Sequence, residues 1–387
     1  MTEMVYGNAG AKPAEPILPL WWRTVDRWSL GAVLGLFLIG MLLGFAASPP
    51  LAQRNGLEPF YYVSRQAVYG MLAFTAMILV SMMPPVEIRR KAVLGFVAAA
   101  LALALLPWFG TDFGKGSIRW YSLGFASLQP SEFLKPTFVI FAAWLIAASQ
   151  DISGPPGKTL SFLVTVTLVG ILAAQPDYGQ ACLILAAWGL MYFIAGAPMR
   201  LLVLAAGGVV AAGMVAYNKS EHVARRIDGF LSPELDPRTQ LGFATNAIQE
   251  GGFFGVGVGE GSVKWSLPDA HTDFIIAVAA EEYGLVICLL VIALFATVVM
   301  RSLLRLLRER DPFVRLAGVG LSVLFGMQAL INLGVAVRLL PAKGMTLPFV
   351  SYGGSSMVAA GLSLGMLLAL TRDRPQDHLS DFIGPAR

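Results

Sequence analysis

The chain has 387 residues, 56% hydrophobic and 13% charged, with a formal net charge of +4 and a mean hydropathy of +0.67. A soluble domain carries about 25% charged residues, so an ordinary globule, a disordered chain and a nucleic-acid-binding domain are excluded. What remains is an all-α polytopic membrane protein, in which the excess of Lys and Arg reports orientation.

Residues 1–27 form a polar lead-in, Pro-rich over 11–19, with no signal peptide ahead of the first apolar run. A bilayer core needs about 20 apolar residues per helix. Runs near 28–48, 62–83, 92–109, 133–149, 160–175, 179–196, 199–217, 273–300, 313–336 and 350–371 predict ten spans, so that 28–371 is a ten-helix membrane domain. The third run ends at Pro107, and only Gln175-Pro176-Asp177-Tyr178 divides the fifth from the sixth. Lys and Arg crowd alternate linkers, most densely from Arg301 to Arg310. By the positive-inside rule that places both termini, including the tail 372–387, in the cytoplasm. Residues 218–272 then form a large outer loop between spans seven and eight. Within it Leu241, Ala244 and Ile248 recur at helical spacing, which predicts a short amphipathic helix lying on the membrane or on the bundle, or merely closing the fold. Cys182 and Cys288 both lie in apolar runs and imply neither a disulfide framework nor a Cys-based metal site.

An ionisable group in the hydrocarbon costs about 2.5–3.5 kcal/mol on insertion scales, so each one needs a reason. Helix ends explain most of them. The exceptions gather at the outer side: Arg119, Glu132 and Lys135 near span four; Asp273, Glu281 and Glu282 in span eight; Arg338 and Lys343 between spans nine and ten. Ser131 suits a helix cap and Glu132 the positive N-terminal end, but Lys135 faces the wrong end of the dipole and calls for a partner such as Glu132 at i−3 or an anionic ligand. Thr272 or Asp273 is positioned to cap span eight. His271 between two aspartates is too thin for a metal site. Glu281 and Glu282 are expected to pair with Lys135, Arg119 or Arg338, or to relay protons. Leu340–Ser356, with two prolines before its Ser-Tyr-Gly-Gly-Ser-Ser run, reads as irregular backbone, tolerated at membrane depth only where protein or a water-filled cavity covers it.

Six segments in this order resemble the SEDS family (shape, elongation, division and sporulation) over about residues 28–371. They are Arg119-Trp120, Gln129-Pro-Ser-Glu-Phe-Leu-Lys135, Gln175-Pro-Asp-Tyr-Gly179, Leu267-Pro-Asp-Ala-His-Thr-Asp-Phe274, Glu281-Glu282-Tyr-Gly284 and Leu347-Pro-Phe-Val-Ser-Tyr-Gly-Gly-Ser-Ser356. Lys343-Gly-Met-Thr-Leu-Pro348 favours the division branch over the elongation branch. Where the family often reads Asn-Gly-Ala before Arg-Trp, this chain has Lys115-Gly116-Ser117.

The resemblance implies a peptidoglycan glycosyltransferase that polymerises lipid II at the outer face of the bacterial cytoplasmic membrane, at the division septum. It maps the family's functional aspartate onto Asp273. A lipid pyrophosphate is already a good leaving group and needs cationic stabilisation more than a general acid. A glycosidase, by contrast, uses two carboxylates. Asp273 is therefore expected to act as general base in a single inverting displacement. Arg119, Lys135 and Lys343 are candidate pyrophosphate contacts, with Glu132 orienting Lys135. Gln129, His271 and Ser351 complete the expected substrate-binding set. The resemblance also implies a class B penicillin-binding protein (an FtsI-type transpeptidase) as partner, with FtsQLB acting upstream. It implies no certain cofactor and leaves dependence on a divalent cation open. A lipid II transporter and a scaffold recruiting division proteins are the alternative readings.

Overall fold

The computed structural model describes residues 16–112, 118–124, 126–151, 153–219, 221–231, 239–267, 269–341 and 344–373. Ten helices coincide with the ten apolar runs: α2 (Arg27–Arg54), α3 (Tyr61–Ser81), α4 (Pro85–Phe109), α5 (Pro130–Ala148), α6 (Gly157–Ala174), α7 (Tyr178–Ile194), α8 (Met199–Lys219), α11 (Ile275–Leu306), α12 (Pro312–Ala336) and α13 (Gly354–Leu370). Seven are long and apolar enough to cross a membrane, and α7, the 199–215 stretch of α8 and α13 are shorter apolar helices. The chain is a multi-pass membrane protein. The remaining helices are α1 (Ile17–Thr24), α9 (Glu221–Leu231) and α10 (Gln240–Gly251), with a small hairpin of β1 (Tyr121–Ser122) and β2 (Ser127–Leu128).

Local chemistry sets the helix starts. Pro85, Pro130 and Pro312 stand in the first turns of α4, α5 and α12, where a missing N–H costs nothing. Asp311 caps α12 by accepting from the Phe313 N–H at 2.8 Å. α5 and α12 form the centre of the bundle, each with 67% of its apolar window buried, against 28% for α3, α4, α6 and α11. α5 packs on α4, α6, α7 and α12; α13 lies against α3; α11 lies against α2, α10 and α12. The predicted loop helix is α10, and it rests on α11 with Ala244 and Ala247 buried.

α11 is broken at Gly284, whose φ of 74° suits glycine alone. The loop after α10 repairs the break. The carbonyls of Glu281 and Glu282 accept from the N–H groups of Val256 (2.8 Å) and Gly257 (3.3 Å). The freed N–H groups of Leu285 and Val286 donate to the carbonyls of Gly252 (3.0 Å) and Phe253 (3.4 Å). Backbone approaches backbone so closely that a Cβ at Gly255 would stand 2.1 Å from the Glu282 oxygen. Non-helical backbone is tolerated at this depth where, as at these four groups, the loop supplies the lost partners.

The bundle has two polar ends. At one, Asp26 at the start of α2 meets Arg301 and Arg305 near the end of α11. At the other lie the starts of α5, α11 and α13 together with the Asp273 loop.

Candidate functional site

At the Asp273 end, the first two turns of α5 carry a buried polar cluster. Lys135 Nζ lies 2.8 Å from Glu132 Oε2 with both side chains nearly inaccessible, which is the i−3 pairing expected from the sequence. The pair is not isolated. Gln180 on α7 donates to Glu132 Oε1 at 2.6 Å, and Lys135 donates to Gln328 Oε1 on α12 at 3.2 Å. An ammonium buried this deeply needs both charge compensation and hydrogen bonds, and it has both. Glu132, Lys135 and Gln328 line a cavity of about 20 Å³ that is closed by Pro348, Ser356 and Ser363.

Beside this cluster, Asp177 at the start of α7 is buried. Its carboxylate lies 3.4 Å from Ser131 Oγ and 3.5 Å from Gln129 Nε2. Burial pushes the Asp177 carboxyl above its ordinary value; the Arg119 charge opposes that shift and the Glu132 charge adds to it. Arg119 is held over this corner, donating to the carbonyls of Pro176 (2.7 Å) and Gln175 (3.2 Å). The expected cap is corrected here. α5 begins at Pro130, so Ser131 lies inside the helix and its hydroxyl turns to Asp177 instead.

Asp273 sits in a turn over 269–274, and α11 begins only at Ile275 without a side-chain cap. The N-cap position falls to Phe274, one residue beyond Asp273. The turn is stitched to the segment before α13: Ser351 Oγ donates to the Thr272 carbonyl at 2.5 Å and accepts from the Leu347 N–H at 2.9 Å. The Tyr352 N–H donates to the His271 carbonyl at 2.9 Å. Gly344 comes so close that a Cβ there would lie 3.2 Å from Asp273 Oδ2. The His271 ring packs against Tyr62 and Tyr352, with centroids 5.4 and 5.6 Å away. Among the described residues, no group of three or more His, Cys, Asp or Glu lies close enough to hold a metal ion.

Glu281 and Glu282 find partners in the loop ahead of Asp273. Glu282 forms a buried ion pair with Lys264. Glu281 accepts from the N–H groups of Val263 (2.7 Å) and Lys264 (3.2 Å). Both carboxylates thus fasten the loop ahead of Asp273 onto α11. The cation paired with Glu282 comes from the loop and not from another span.

The structure gathers Gln129, Glu132 and Lys135 in one cluster, with Arg119 at its edge, and His271 and Ser351 around the Asp273 turn. Lys343 and the Lys115–Ser117 stretch lie outside the described residues. Gln180, Lys264, Gln328 and Asn332 escaped notice in the sequence, and Asp177, part of the Gln175–Gly179 segment, had no role assigned to it. Asp177 had a signal, a carboxylate in the short Gln175–Tyr178 break between two apolar runs. Gln328 and Asn332 also had one, two amides at i,i+4 in a predominantly apolar helix. Between α4, α5 and α13 runs an apolar groove of about 480 Å³ lined by residues such as Ala92, Gly95, Ala99, Phe133, Thr137 and Met366.

Comparison with known proteins agrees with this architecture. The family model for the FtsW, RodA and SpoVE cell cycle proteins matches residues 27–376. A Caulobacter vibrioides protein named "Probable peptidoglycan glycosyltransferase FtsW" is 45% identical over 370 residues, covering 95% of this chain and 94% of the relative. A Trichlorobacter lovleyi protein of the same name is 36% identical, covering 88% and 91%. Among solved structures, a chain of a peptidoglycan synthase complex that coordinates polymerization and crosslinking is 28% identical with a TM-score of 0.73, covering 91% of this chain and 99% of that one. The rod shape determining protein RodA of Thermus thermophilus is 26% identical with a TM-score of 0.67, covering 92% and 99%. The chain belongs to the FtsW, RodA and SpoVE family of cell cycle proteins.

Proposed function

We infer that the chain is a peptidoglycan glycosyltransferase that polymerises lipid II during septal wall synthesis. The observation that carries this reading is the assembly at one end of the bundle of a buried cation with its counter-ion and a carboxylate on a separate, tightly stitched turn. That division suits a displacement with a charged leaving group. In this reading Asp273 accepts the proton of the acceptor hydroxyl, and Lys135, Arg119 and Lys343 stabilise the departing pyrophosphate. Glu132 holds the Lys135 ammonium at 2.8 Å and sets its direction. Gln129, His271 and Ser351 shape the surrounding wall. The apolar groove beside α5 suits the lipid's prenyl chain, which would bring the pyrophosphate to the start of that helix.

The same reading places the Asp273 end and the 218–272 loop outside the cytoplasmic membrane and both termini in the cytoplasm. It takes an FtsI-type class B penicillin-binding protein as the crosslinking partner, with FtsQLB upstream. The relative solved within a peptidoglycan synthase complex supports the first of these. The test is one preparation assayed two ways: polymer formed from lipid II, and movement of labelled lipid II across proteoliposomes. Polymer without movement supports the enzyme. Movement without polymer would establish the transporter.

A further inference from the structure

Gln328 and Asn332 stand one helical turn apart on the same face of α12, 8% and 3% exposed. Each joins two other parts of the chain. Gln328 Oε1 accepts from Lys135 at 3.2 Å, while its Nε2 donates to the Thr346 carbonyl at 3.0 Å. Asn332 Nδ2 donates both to the Asp273 carbonyl at 2.9 Å and to the Met345 carbonyl at 2.6 Å. The cation on α5 and the turn that bears Asp273 are thus registered against one central helix, with the 345–346 backbone held between them. We propose that Gln328 and Asn332 are positioning residues that fix the separation of Lys135 from Asp273, so that a pyrophosphate at the ammonium and a sugar hydroxyl at the carboxylate meet in reacting geometry. The proposal rests on the glycosyltransferase reading.

A second observation separates this role from ordinary packing. Asn332 Oδ1 is buried without a hydrogen-bond partner. A buried acceptor left unpaired is a burden on stability. An amide whose N–H group serves two carbonyls while its oxygen serves none sets geometry at the expense of fold stability. An apolar residue of similar volume would remove that one unpaired acceptor but leave both carbonyls without their donor, which frees the turn at a cost in stability.

The experiment uses the purified full-length chain with the variants Asn332→Leu and Gln328→Met. It measures lipid II kcat and KM, the thermal midpoint, and hydrogen exchange across residues 344–351. A small displacement of reacting groups lowers turnover by up to about 10²-fold, so kcat is expected to fall about 10- to 100-fold with KM within about twofold of wild type. The midpoint of Asn332→Leu is expected to fall modestly, because two carbonyls lose their donor while only one unpaired acceptor is removed, and the Leu347 N–H, now bonded to Ser351, exchanges faster. Wild-type turnover in both variants, a rise in KM with kcat unchanged, or loss of the folded protein in both would overturn the proposal. A wild-type chain that made no polymer would sink the glycosyltransferase reading; the exchange arm would still decide the tether, and unchanged exchange across 344–351 would overturn it.

Discussion

At one end of the bundle the Asp26 carboxylate is closed off by its neighbours; at the other, Asp273 and Lys135 stand on separate elements and are joined through the amides of α12. Asp26 accepts from Arg301 Nε at 2.8 Å and Nη2 at 2.8 Å and from Ser29 at 2.7 Å, with Arg305 Nη2 3.6 Å away. Arg305 also donates to the Thr371 carbonyl, and Arg372 to Thr24 Oγ1, so the knot sews the first turns of the chain to the end of α13. Within this knot the Asp26 carboxylate meets two guanidinium groups directly. At the Asp273 end the pairing is deliberately incomplete in geometry: Lys135 has its carboxylate, yet Gln180 Oε1 and Asn332 Oδ1 are buried without partners.

The contrast can be broken from either side. The largest effect on stability is expected at Lys135→Met, which strands Glu132 as an unpaired buried charge and costs about 3–5 kcal/mol. Removing both partners, with Glu132→Gln added, should restore most of that stability while leaving polymerisation deficient; thermal unfolding and lipid II turnover measured together show the split. Restored turnover in the double variant would mean that the pair is structural only.

A smaller effect is expected at the other end. Burial alone would raise the Asp26 carboxyl, but hydrogen bonds from Arg301 and Ser29 and the charge of Arg305 hold it below its ordinary value of 3.8. The unfolded chain therefore binds this proton more readily. The stability that Asp26 contributes is present above its ordinary value and is lost as pH falls through the depressed folded one. Because Arg301 is partly exposed, Asp26→Asn is expected to cost only about 1 kcal/mol at neutral pH. The gap between wild type and variant, followed by thermal midpoint, should close as pH drops below the ordinary aspartate range. A gap that widened on acidification would reverse the assignment.

The fold was legible because the bilayer demands about 20 apolar residues per helix, and that demand is written locally. The site was legible where its chemistry is local or costly: Glu132 and Lys135 at i,i+3, and Asp273 as a carboxylate entering an apolar run. Two helix caps were misread because position alone does not locate the first helical residue; Pro130 moved one start and the 269–274 turn moved the other. Which partners meet across long stretches of chain was not legible. Lys135 meets Gln328 across 193 positions, and Asn332 meets Asp273 across 59. Neutral amides raise no alarm on an insertion scale, and Lys264 lies in a loop where a lysine is unremarkable. Only the packing of α12 between α5 and α11 brings them to the site.

The central claim is that chemistry resides at the Asp273 end while the Asp26 end serves structure. The direct measurement is lipid II polymerisation by the purified chain, with and without its transpeptidase partner, for Asp273→Asn and Asp26→Asn side by side, each checked for folding by its thermal midpoint. A general base contributes about 10²–10⁴-fold, so Asp273→Asn should lose that much turnover while Asp26→Asn stays within about twofold of wild type. A folded Asp273→Asn chain that polymerised lipid II at near wild-type rate would contradict the account.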